Sequence, residues 1–208
     1  MLISLLGLIL GTSLVFNEEV SGTKKEIPWR IDDTKNAVEL ISVLPERTTA
    51  IICDSHFFPK SYELKDPSKQ EELNIKREGQ KLLISKKAGT DEKTKNYQMK
   101  TKNWVQDFSF GLRPFFSSSD TEWKFDIVNP KDLSLRTMVA TKLEMEYKTF
   151  YGIKYRAQKV KVTLDGYLKK FWKAEIWFDT KTYNLLYYKA NEGPSTPYTT
   201  ITLKEIKK

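Results

Sequence analysis

Lys159-Val160-Lys161-Val162-Thr163-Leu164 decides the fold class. Val160, Val162 and Leu164 share one face of this run, and Lys159, Lys161 and Thr163 share the other. A period of two marks a strand with one wet face. Residues 173–178, Lys-Ala-Glu-Ile-Trp-Phe, alternate likewise, with Ala174, Ile176 and Phe178 turned inward. Residues 179–182 read as a turn and 183–189 as the return strand. Residues 199–206 form a further β-branched run, which closes the domain.

The same pattern extends toward the N-terminus. Residues 143–150 and 154–164 are the arms of a hairpin around Tyr151-Gly152. Residues 72–77 and 81–86 flank Gly79, another hairpin signature. Residues 104–114 and 121–128 read as two aromatic-rich strands, punctuated by Pro114 and Asn129-Pro130. Residues 134–146 read as strand, and so do 33–44, in preference to a short helix. Residues 86–96, the most polar stretch, read as a solvated hairpin loop. The sum is roughly ten strands, an all-β sandwich, barrel or strongly curved sheet.

Residues 2–16, Leu-Ile-Ser-Leu-Leu-Gly-Leu-Ile-Leu-Gly-Thr-Ser-Leu-Val-Phe, carry no charge. The run is short for a membrane-spanning helix, which needs about 20 apolar residues. It fits the apolar core of an export signal, with an uncleaved anchor or a first buried element of the fold as the other readings. Small residues offer two cleavage registers, at Gly11 and Ser13 or at Val20 and Gly22. The expected organisation is a signal peptide over 1–22 and one all-β domain over 23–208. The expected location is the bacterial periplasm or outside the cell.

Composition narrows the chemistry. The 208 residues include 35 Lys and Arg against 27 Asp and Glu, a formal charge of +8. One Cys and one His cannot build a disulfide framework or a multi-histidine metal centre. No phosphate-binding glycine loop is present, so neither metal nor cofactor is expected. Cys53-Asp54-Ser55-His56 gathers catalytic residue types, but on a strand Cys53 and Ser55 point away from Asp54 and His56. It reads as the end of a buried strand followed by a loop. A carboxylate-dependent hydrolase would have to draw on Asp120, Glu122, Asp126, Glu144 and Glu146. These read as solvated strand faces, and the chain is not expected to be an enzyme.

The aromatics say more. Residues 147–178 interleave nine aromatics with eight basic and only two acidic residues. Such a segment is a sheet whose aromatics fill the core and whose lysines cover the wet face, or the basic rim of an apolar concavity. The second reading takes an amphiphile with an anionic head. Lys outnumbers Arg 29 to 6, which argues against a nucleic-acid partner, since Arg is preferred for bidentate phosphate contacts.

From Trp104 onward the chain resembles a family of exported bacterial proteins known as domain of unknown function 3108. The likeness rests on Trp104 with Phe108-Ser-Phe110, on Trp123-Lys-Phe125 leading to Asn129-Pro130, and on the terminal block. That block comprises Lys159-Val-Lys-Val-Thr-Leu164, Trp172-Lys-Ala-Glu-Ile-Trp-Phe-Asp179, Leu185-Leu-Tyr-Tyr188, Gly193-Pro194 and residues 199–203. Residues 27–85 fit more loosely. Where the family has Gly after the Asp179 turn, this chain has Tyr183 or Asn184. The resemblance implies a periplasmic, mostly antiparallel protein with a curved open sheet or partial barrel, similar to lipoprotein-carrier folds. It implies no catalytic residues.

The candidate ligand-binding residues are Trp104, Phe108, Phe110, Trp123, Phe125, Trp172, Trp177 and Phe178, with Lys159 and Lys161 for an anionic group. The expected partner is a lipid or other amphiphile, or alternatively an envelope protein paired through an exposed strand edge.

Overall fold

The computed structural model describes residues 11–34, 36–191 and 196–207. Fourteen strands form one open, curved sheet, in the order β8-β7-β6-β5-β4-β3-β2-β1-β14-β13-β12-β11-β10-β9. Every neighbouring pair is antiparallel. The sheet is two meanders joined by the first and last strands of the described chain. β1 (Thr12–Val20), β2 (Thr23–Asp33), β3 (Val38–Val43), β4 (Thr48–Cys53), β5 (Pro59–Asp66), β6 (Glu71–Glu78), β7 (Lys81–Ala88) and β8 (Asp91–Gln98) run outward to one edge. β9 (Glu122–Val128), β10 (Leu135–Phe150), β11 (Ile153–Leu164), β12 (Lys173–Asp179), β13 (Leu185–Asn191) and β14 (Tyr198–Lys207) run from the other edge back to β1.

This topology has a geometric consequence. The link from β8 to β9 must travel between the two far edges of the sheet. It does so across the concave side, and its middle folds into two short helical turns, α1 (Phe108–Gly111) and α2 (Arg113–Ser117). Residues 104–114 are therefore not the strand that their aromatic pattern suggests. The Asp107 side chain accepts from the Ser109 N–H and caps α1, and Pro114 sits at the start of α2, where its missing N–H costs nothing.

Alternation decides which side chains meet. Leu14 and Phe16 of β1, Ile27, Trp29 and Ile31 of β2, Val160 and Val162 of β11, and Ala174, Ile176 and Phe178 of β12 join one inner core. Leu73, Ile75, Leu82 and Ile84 pack with Met99, Trp104, Val128 and Leu133 in a second core, near the open seam. The polar stretch 86–96 is not a loop throughout. β7 and β8 run through it, and it turns at Gly89-Thr90.

The expected leader falls partly on residues 1–10, outside the described residues, and partly on 11–22, where β1 forms. Leu14 is fully buried and Phe16 is 2% exposed. β1 is hydrogen-bonded on both sides, to β2 and to β14.

The Asp179 turn shows how this chain manages without glycine. Tyr183 has φ 56°, a left-handed conformation that favours glycine. Asp179 Oδ2 accepts from the N–H and the hydroxyl of Thr182 and holds the turn. The Tyr183 ring stacks against Phe116 of α2, at 6.1 Å between centroids.

Candidate functional site: the sheet concavity and its plug

Residues 107–117 act as a plug, held in the concavity mostly by side-chain packing rather than by a ladder. Phe110, Leu112 and Phe115 are buried to 1% exposure or less. Phe110 meets Trp29 edge-on at 5.0 Å, and Phe116 meets Phe178 at 4.3 Å. Phe115 stacks on Trp123 at 5.8 Å with ring planes 5° apart. Phe108 lies 6.0–6.2 Å from Phe125, Trp172 and Tyr188. Gly111 permits the close approach to the preceding chain, since a Cβ there would lie 2.8 Å from Cγ1 of Val105.

The plug carries two ionisable groups. Burial raises the Asp107 carboxyl above the usual carboxylate range, although the Ser109 hydrogen bond pulls the other way. Arg113 is 3% exposed and donates through Nη2 to Asn184 Oδ1. Its guanidinium carbon lies 4.6 Å from the Phe57 ring centroid and 5.5 Å from that of Phe110. Burial pulls its pKa down to about 9, so it remains cationic at neutral pH.

The candidate residues from the sequence divide between places. Phe108, Phe110, Trp123, Phe125, Trp172 and Phe178 come together around the plug. Trp104 belongs to the second core. Trp177, Lys159 and Lys161 lie on the sheet face opposite Val160 and Val162. There Lys159 pairs with Trp177 across the ladder, and Lys161 with Glu175. The Lys159 ammonium sits 4.9 Å from the Trp177 ring centroid, and the Trp177 indole donates to Glu146. These two lysines do not border the concavity. The reason is the alternation itself, which turns them away from the inner residues beside them.

Several residues around the plug were not singled out from the sequence, among them Trp29, Phe57, Arg113, Phe115 and Tyr188. One signal was present. Arg113 is the sole charge in residues 108–119, set among four phenylalanines.

The other residue groups have structural occupations. Cys53 is fully buried, and burial pushes its thiol up to about 12. Asp54 accepts from the N–H groups of His56 and Phe58 and shapes the turn after β4. Asp126 is fully buried. Its Oδ2 accepts from the N–H groups of Lys100 and Thr101, and its Oδ1 from the Thr137 hydroxyl. Glu146 holds Trp177 and pairs with Lys148, while Asp120, Glu122 and Glu144 are exposed.

The sheet edges are also covered or charged. Backbone bonds from Val105 N–H to Asp126 O and from Asp126 N–H to Asn103 O close the outer edge of β9, and Gln106 bonds both polar groups of Val128. β8 presents Asp91, Glu92, Lys93 and Lys95, and charged edges resist strand addition. On the outside, a cleft of about 980 Å³ runs beside Phe58, Pro59, Lys60, Lys76 and Lys102.

No family model matches the chain, so membership of domain of unknown function 3108 is not shown. No curated protein matches it either. The fold is similar to that of a β-barrel-like protein of domain of unknown function 1849 from Brucella abortus. That likeness has a TM-score of 0.64 at 6% identity and covers 95% of this chain and 97% of that one. The hypothetical lipoprotein YmcC from Escherichia coli is more distant, with a TM-score of 0.45 at 12% identity over 94% of this chain and 88% of that one.

Proposed function

We propose that this chain is an exported, non-enzymatic protein of the bacterial envelope that holds an apolar or amphiphilic ligand on the concave face of its sheet. In this arrangement the plug occupies that face. The ligand takes the space of the Phe110 and Phe115 side chains, and the plug loosens in place to admit it. One observation carries the reading: the inner face is covered by two turns of four and five residues rather than by strands of the sheet. Helices this short are marginal by themselves and depend on tertiary packing. The face beneath them, with Trp29, Phe125, Ile176 and Phe178, is the apolar lining that an acyl chain requires.

The export signal would then be cut at the earlier register, by Gly11 and Ser13. A cut at Gly22 would remove β1 and leave the facing edges of β2 and β14 unpaired.

The direct test is displacement of a fluorescent fatty acid from delipidated protein, alongside mass spectrometry of solvent extracts from freshly purified material. Saturable displacement supports the reading. Neither co-purified lipid nor displacement would end it.

A second reading, an interaction module of the envelope, is favoured by the hairpin of β10 and β11. Met145 and Tyr147 are 54% and 66% exposed on one face of it, and Leu143 is 36% exposed at the bulge that precedes them. Cross-linking in intact envelopes tests that reading. Recovery of a free monomer alone would count against it.

A further inference from the structure

The plug carries its charge in an unusual place. Arg113 is buried in the inner core, between the rings of Phe57 and Phe110. Its Nη2 bonds to Asn184, but its buried Nε has no hydrogen-bond partner. Among the described residues no carboxylate lies within ion-pair range of it. The neighbouring Cys53 is a neutral thiol at physiological pH. A buried cation without a counter-ion, and a buried donor without an acceptor, are both strongly unfavourable. The two rings recover part of the loss through cation–π attraction. They cannot accept the Nε–H in the plane of the guanidinium.

Arg is suited to one kind of partner. Its planar fork matches the oxygens of a carboxylate or a phosphate. We propose that Arg113 is the anion-recognition residue of the concave site, and that the ligand is an amphiphile with an oxyanion head, a carboxylate or a phosphate monoester. The head accepts the Nε–H and supplies the missing counter-charge. The chain takes the space held here by Phe110 and Phe115. This inference rests on the ligand-binding reading of the concavity, and it adds the chemical class of the ligand. It also gives the plug a reason to yield, since an anionic ligand relieves a penalty that the closed state carries.

The test compares three probes that share one chain: oleate, oleyl alcohol and oleyl phosphate. Each displaces a fluorescent fatty acid from the full chain, as wild type, Arg113→Lys, Arg113→Leu and Arg113→Gln. Wild type should bind oleate or oleyl phosphate at least about tenfold more tightly than the alcohol, a charge-assisted hydrogen bond being of that size. Arg113→Leu should remove the discrimination and leave alcohol binding in place. Arg113→Gln serves the same purpose should the Leu variant not fold, and Arg113→Lys should retain part of the preference. The preferred anion tells fatty acid from phospholipid-type head. Equal binding of acid and alcohol by wild type would overturn the inference, as would an equal loss of both in Arg113→Leu, with the binding site itself intact. No binding of any probe would overturn the ligand-binding reading as well.

Discussion

Trp29 on β2 and Phe110 on the plug meet with ring centroids 5.0 Å apart and planes at 64°. This contact ties a segment outside the sheet to its inner face. It lets the contribution of the plug be separated from that of the sheet. Phe178 of β12 is equally buried but belongs to a strand with partners on both sides. Truncating Phe178 to Ala should cost about 3–5 kcal/mol in urea unfolding, the usual range for a buried Phe. Phe110→Ala should cost less, because the plug can open while the sheet stays folded. The same variant should bind fatty acid more tightly, by about tenfold for each 1.4 kcal/mol taken from the closed plug.

Asp126 gathers four donors from two segments, the Lys100 N–H and the N–H and hydroxyl of Thr101 before the plug, and the Thr137 hydroxyl on β10. Asp126→Ala leaves the half-buried N–H groups of Lys100 and Thr101 without their acceptor, at about 1 kcal/mol or more each. The variant should therefore lose at least about 2 kcal/mol of stability. The fully buried Trp104, which bridges to Asp126, should be wetted, and its contribution to tryptophan emission should shift to the red.

The Cys53 thiol should resist alkylation at pH 8 in the native protein and react once unfolded. Its folded pKa of about 12 lies above the ordinary 9.0, so the folded state holds the proton longer. The stabilisation from this group is complete below pH 9 and is lost as pH rises from 9 to 12, by an upper bound of about 4 kcal/mol. Arg113 acts in the opposite sense above pH 9, because its folded pKa is lowered. The stability difference between wild type and Cys53→Ala reports chiefly on the thiol and should shrink across the alkaline range. A constant difference would contradict the burial assigned to Cys53.

Removal of residues 1–22 should abolish folding, while removal of 1–11 should not. N-terminal sequencing of protein recovered from the periplasm should find β1 retained. A mature chain beginning after Gly22 would contradict a central β1.

Much of the fold could be read from alternation. Val160 and Val162, Ala174 and Ile176, and the hairpin at Gly79 behave as their spacing says, because a strand with one wet face states its period in a few residues. β1 was harder to see, since Leu14 and Phe16 continue an apolar run whose first ten residues mask the period. The plug was harder still. Aromatic side chains at 108, 110, 115 and 116 fit a strand as well as two short turns. What decides between them is the absence of a neighbouring strand to pair with, a fact of topology that no local window contains. The split of the candidate site has the same origin. Trp177 and Phe178 are adjacent in sequence, yet they face opposite sides of the sheet.

In the proposed function, ligand and plug compete for one face of the sheet. Hydrogen exchange measured by mass spectrometry, with and without saturating oleate, tests it most directly. Competition for that face should speed exchange in residues 107–117 on binding, with β1, β11, β12 and β13 unchanged or more protected. Unchanged or slower exchange in 107–117 at full occupancy would place the ligand elsewhere and rule out competition with the plug.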